Sequence, residues 1–196
     1  MKDIIRLDKS GHLLVEGKPA ELAQPAICTV ILVIDRSGSM AGQKTMFASA
    51  GAWDFSQSAL NKGFRVATID FATGAKITCP PSKQPDQIQI GCFADSLTGS
   101  TEMHKGLDLA ASLGPRLGDT IVVVTDGAVD NPKSTLAIGS SLKSSGVEIL
   151  AIGTDDADKV FLSKLASRPD LGIKVASTNL RQAITDASKL LGTSRK

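Results

Sequence analysis

Ile27-Cys28-Thr29-Val30-Ile31-Leu32-Val33-Ile34, closed by Asp35-Arg36-Ser37-Gly38-Ser39, is the stretch on which the fold of this chain turns. The run is unbroken by polar alternation and rich in β-branched residues, so it reads as a strand buried on both faces, the mark of a mostly parallel sheet. Residues 64–71, 121–124 and 147–152 repeat the pattern, and 172–176 is a weaker copy. Segments of helical period lie between these runs. Met46, Ala50, Trp53 and Leu60 share one face, which places the lone tryptophan in the core, and Met103, Leu107 and Ala110 share another. Leu180, Ile184, Ala187 and Leu191 form the clearest stripe, after a cap at Thr178 or Asn179, and 134–144 and 158–167 complete the helices. The alternation predicts an α/β fold: a doubly wound, mostly parallel six-stranded sheet with helices on both faces. Residues 75–79 follow Thr73-Gly74 and read as the one antiparallel edge strand, closed by Pro80-Pro81 before a long loop over 80–100.

Working outward, residues 1–24 stand apart as an N-terminal extension, with apolar segments 4–7 and 13–16 flanking Asp8-Lys9-Ser10-Gly11 in a β-hairpin; residues 25–196 are the main domain. A length of 196 residues with 42% hydrophobic and 21% charged side chains is ordinary for one globular domain. The net charge of +2 implies neither nucleic acid nor an anionic membrane as partner. Three cysteines, Cys28, Cys79 and Cys92, are an odd number without C-x-x-C spacing, which argues against a disulfide framework and a zinc knuckle. With no apolar leader at Met1–Arg6 and no membrane-length apolar run, the expected setting is cytoplasmic.

In a doubly wound sheet, ligands bind beyond the carboxyl ends of the strands. Three such ends carry oxygen donors here: Asp35, Ser37 and Ser39 after the first run, the turn Leu97-Thr98-Gly99-Ser100-Thr101 before a helix, and Thr125-Asp126-Gly127 after 121–124. Carboxylates and hydroxyls without His or Cys suit a hard divalent cation, magnesium first and manganese or calcium next, and suit zinc or copper poorly.

The D-x-S-x-S of Asp35, Ser37 and Ser39, the later Thr101 and the T-D-G at Asp126 resemble the metal-ion-dependent adhesion site of von Willebrand factor A domains, integrin I domains included; the resemblance covers about 26–192. It implies that Ser37 and Ser39 ligate the ion, that Thr101 binds directly or through water, and that Asp35 and Asp126 act through bridging waters. It also implies a position left for an Asp or Glu of another protein, and hence a non-enzymatic adaptor with no small-molecule substrate.

Other constellations carry less. Glu102 is expected to favour the helix N-terminus rather than the ion. His104 reads as a bystander on a first helical turn, and Asp155-Asp156 as caps for the helix near Asp158. The enzymatic alternative is a magnesium-dependent phosphatase of the haloacid-dehalogenase type with Asp35 as nucleophile, but that family needs a second acid where Ser37 stands. Nucleotide-binding loops are missing from the sequence.

Overall fold

In the computed structural model, which describes the backbone of residues 4–7 and 13–16 and all of residues 27–91 and 99–192, the apolar runs become strands. β1 (Ile4–Leu7) and β2 (Leu13–Glu16) pair antiparallel, Ile4 opposite Glu16 and Leu7 opposite Leu13. The turn expected at Asp8–Gly11 lies outside the described residues, as do His12, Cys92, Leu97 and Thr98. The main sheet comprises β3 (Thr29–Asp35), β4 (Arg65–Phe71), β5 (Ala75–Ser82), β6 (Thr120–Thr125), β7 (Glu148–Thr154) and β8 (Gly172–Val175), in the order β5-β4-β3-β6-β7-β8. Every pairing is parallel except β4 with β5.

All residues of β3 and β6 are buried, which is why those strands show no polar alternation in sequence. Helices cover both faces. α1 (Gln43–Asn61) packs against α5 (Leu180–Ala187), while α2 (Met103–Ser112), α3 (Pro132–Ser144) and α4 (Lys159–Leu165) pack in series on the other side. The stripe Leu180, Ile184, Ala187 and Leu191 is buried as expected, and so are Met103, Leu107 and Ala110. No helix among the described residues is long and apolar enough to cross a membrane.

Two local expectations are corrected. The inner face of α1 is Ala48, Gly51, Ala52, Phe55, Ser56 and Ala59; of the expected stripe Leu60 packs against the core in part, while Met46 is 68% exposed and Trp53 44%. A close approach to α5 selects small residues: a Cβ on Gly51 would lie 2.8 Å from the Arg181 carbonyl oxygen and 2.9 Å from Ile184 Cβ. Alanine and glycine carry little weight in a hydrophobic pattern, so the large side chains pointed to the wrong side. Second, β5 does not stop at Pro80-Pro81 but runs to Ser82. Proline is tolerated because β5 is an edge strand, and the register shifts around Thr68 absorb the missing donors.

Candidate metal centre

β3, β4 and β6 end side by side, so the turns leaving β3 and β6 and the turn entering α2 meet at one rim. Asp35, the last residue of β3, is fully buried. Its Oδ1 accepts from the Ser37 amide at 2.7 Å and its Oδ2 from the Thr125 hydroxyl at 2.6 Å, which ties the β3 turn to the end of β6. Burial pushes the Asp35 carboxyl above its ordinary value; the bonds from Thr125 and Ser37 oppose this and the nearby Asp126 adds to it. The chain then makes a tight turn over Gly38–Met40 and passes Gly42, whose φ of +79° is a conformation glycine adopts without strain, before α1 begins.

Along the rim the oxygens form a continuous chain. Ser37 Oγ and Ser39 Oγ are 3.1 Å apart, and Ser39 Oγ donates to Asp126 Oδ1 at 2.7 Å, across 87 positions of sequence. Thr101 belongs to the same cluster: its amide donates to Asp130 Oδ2 at 2.7 Å, and the Gly38 amide donates to the Gly99 carbonyl at 3.4 Å. A Cβ placed on Gly127 would stand 3.7 Å from Thr101 Oγ1 and 3.8 Å from Ser39 Oγ, so this glycine leaves the space between the two hydroxyls open. All five residues singled out from sequence thus lie at one rim. The donors are hydroxyl and carboxylate oxygens, and a cationic group, the Lys44 ammonium, already stands on Asp126 Oδ2. Both features fit a hard cation.

Lys44 is a site residue that pattern reading passed over. Its ammonium bridges Asp126 and Asp155, at 2.9 Å from Asp155 Oδ2. Burial works to lower its pKa, but the bonds to the two carboxylates prevail and hold it above the ordinary lysine value. Asp155 is correspondingly held below its usual range, chiefly by the bond from Lys44. The expectation that Asp155 and Asp156 cap the next helix is therefore corrected: Asp158 caps α4, accepting from the Val160 amide at 2.8 Å, and the Asp156 amide donates to the Asp126 carbonyl at 3.0 Å. A lysine on the first turn of a helix was the available signal for Lys44, since the helix dipole disfavours a cation there. Asp130, which secures Thr101, carries no such signal.

Glu102 pairs with Lys105, one turn along α2, and that bond lowers its pKa. Among the described residues no hydrogen bond joins His104 to the cluster.

A sequence model of the von Willebrand factor type A domain matches residues 29–188. No curated protein matches the chain. Similar solved structures include proximal thread matrix protein 1 from the mussel byssus, 21% identical with a TM-score of 0.66, where the match covers 84% of this chain and 46% of that one. This chain therefore spans about half the length of the mussel protein, 46%. Another is the vWF domain of the type V pili tip protein Mfa5 from Porphyromonas gingivalis, 14% identical with a TM-score of 0.73, covering 87% of this chain and 97% of that one. A further structure of the mussel protein, 20% identical with a TM-score of 0.59 and covering 84% of this chain and 46% of that one, has a zinc-occupied MIDAS motif. At these identities the structural likeness shows the fold.

Proposed function

The chain belongs to the von Willebrand factor type A family, and from that premise we propose that it holds a divalent cation at Asp35, Ser37, Ser39, Thr101 and Asp126 and uses it to capture an acidic side chain of another protein. The observation that carries this reading is the run of oxygens from Ser37 through Ser39 to Asp126, closed by a lysine cation. When bound, the ion supplies a Lewis-acidic position open to an outside carboxylate. The chain's own residues do the rest. Ser37, Ser39 and Thr101 present hydroxyls, Asp126 presents a carboxylate, and Asp35 sits behind them. With both its oxygens already accepting, Asp35 orients the turn rather than facing outward.

That same engagement weighs against the phosphatase reading. A nucleophilic carboxylate needs one oxygen facing the substrate, and both oxygens of the buried Asp35 face Thr125 and Ser37. The proposed action is therefore that of a non-enzymatic adaptor, with a protein partner rather than a nucleic acid, membrane or small molecule. Magnesium is the first choice of ion on donor hardness. Zinc in the mussel protein's motif shows that donor hardness alone does not keep zinc from such a site, so zinc belongs in the titration. Residues 25–196 are taken as the domain and 1–24 as an extension, a division supported by the match over 29–188.

Calorimetric titration of magnesium, manganese, calcium and zinc tests the site. Ser37→Ala with Ser39→Ala is expected to weaken binding by at least about tenfold, a change of roughly 1.4 kcal/mol; heats equal to wild type would refute the site. Asp35→Asn is a sounder probe than Asp35→Ala, because an asparagine still accepts and donates where alanine would strand the Ser37 and Thr125 donors. A pull-down from native lysate, with magnesium and again with chelator, then tests whether capture of a protein depends on the ion.

A further inference from the structure

We propose that Lys44 is a tethered competitor for the cation: its ammonium neutralises Asp126 when no divalent ion is bound and moves wholly onto Asp155 when one binds. The inference rests on the metal-centre reading above. Three observations carry it. First, Lys44 already contacts both carboxylates, Asp126 Oδ2 and Asp155 Oδ2, so the exchange needs only a small swing of one flexible side chain. Second, Lys44 stands in the first turn of α1, where no acidic residue offsets the positive end of the helix. Local helix electrostatics disfavour a lysine at that place, and what holds it is the pair of carboxylates 82 and 111 positions further along the chain. Third, Asp155 is the sole non-glycine residue with positive φ, +48°, among the described residues. Its backbone is held in an uncommon conformation that delivers its carboxylate to Lys44.

The physics of sharing decides the outcome. Held directly or through a water, an ion at Asp126 would bring a double positive charge to that carboxylate. An ammonium on the other oxygen of the same carboxylate would then face that charge at close range, and like charges repel strongly in a partly buried site. Asp155, already in contact with the ammonium, keeps it paired with one of its two carboxylates when the ion takes the other. Cation binding thus becomes an exchange rather than an addition. The consequence is a weaker site whose two outer carboxylates share one ammonium when it is empty.

Competition makes a prediction that simple through-space electrostatics does not. With magnesium as the probe and the full chain in the calorimeter, Lys44→Met is expected to tighten binding about tenfold or more. Asp155→Asn is expected to weaken it, roughly threefold, because Lys44 then commits to Asp126. On the Lys44→Met background the same Asp155→Asn change is expected to alter affinity by less than about twofold, since there is no ammonium left to park. Lys44→Gln, which removes the charge and keeps polarity, should reproduce the tightening if the methionine variant folds poorly. Lys44 variants that bind no tighter than wild type, or an Asp155→Asn effect of equal size on both backgrounds, overturn the proposal. Ser39→Ala placed on the Lys44→Met background separates the two readings: if it leaves tight binding intact, the ion is held elsewhere and the metal centre itself is misassigned.

Discussion

Two ion pairs flank the Asp35–Ser39 turn, and their surroundings set them apart. Arg36 and Asp70 meet at 3.2 Å with side chains 4% and 1% exposed, beneath the turn. Lys44 meets Asp126 and Asp155 above it, with Lys44 22% and Asp155 36% exposed and Asp126 buried. The inner pair is braced: Arg36 Nη1 donates to Ser49 Oγ at 3.1 Å, and its amide donates to the Phe71 carbonyl at 2.7 Å. Among the described residues Asp70 meets no second cationic group, and both side chains are buried. The outer lysine has a second carboxylate and solvent within reach. Charges within one turn of sequence thus do opposite jobs, the inner pair fixing the backbone that aims Ser37 and Ser39, the outer one remaining exchangeable.

The largest expected effect breaks the inner pair. Asp70→Ala leaves the Arg36 guanidinium buried without its counter-charge and is expected to cost about 3–5 kcal/mol in urea unfolding. Arg36→Met with Asp70→Leu should recover most of that loss, because two apolar side chains carry no desolvation penalty. A double variant as unstable as Asp70→Ala alone would show that the pair does more than cancel its own burial.

Next in size is the carboxylate between the two pairs. Asp35 has its folded pKa raised by burial, so its ionised form at neutral pH subtracts from the stability of the metal-free fold. That stability is expected to fall as pH rises from the ordinary aspartate range through the raised folded value. Asp35→Asn should remove this slope and, at neutral pH, stabilise the metal-free protein while abolishing cation binding. Thermal melts across pH, with and without magnesium, check both halves. A less stable asparagine variant would place Asp35 with the structural pair instead of the functional rim.

Which of these features could be read from sequence follows from their physics. β3 and β6 are legible because a strand buried on both faces must be continuously apolar, and Leu180, Ile184, Ala187 and Leu191 because burial on one helix face repeats with helical period. The five rim residues are legible because strand ends are where oxygen donors have no packing reason to cluster. The inner face of α1 is not, since Gly51 and its alanines are chosen by closeness to Arg181 and Ile184, a tertiary quantity. Nor are Lys44 and Asp155 as a pair, because nothing local reveals that positions 111 apart will touch. Arg36 looked like the variable position of a motif, and only the fold shows Asp70 of β4 waiting beneath it.

The smallest expected effect is also the sharpest test of the contrast. Lys44→Met should cost the metal-free protein less than Asp70→Ala does, because Asp155 is open to solvent and Asp126, though buried, keeps the Ser39 hydroxyl as a donor. Salt separates this from the inner pair. Raising ionic strength toward 1 M shrinks the screening length to about 3 Å, which should reduce the Lys44→Met penalty through the exposed Asp155 and leave the Asp70→Ala penalty nearly untouched. Urea midpoints of both variants at low and high sodium chloride, each against wild type, measure it. If the two penalties respond to salt alike, burial does not distinguish the pairs, and the lysine is as much a fixture of the fold as the arginine.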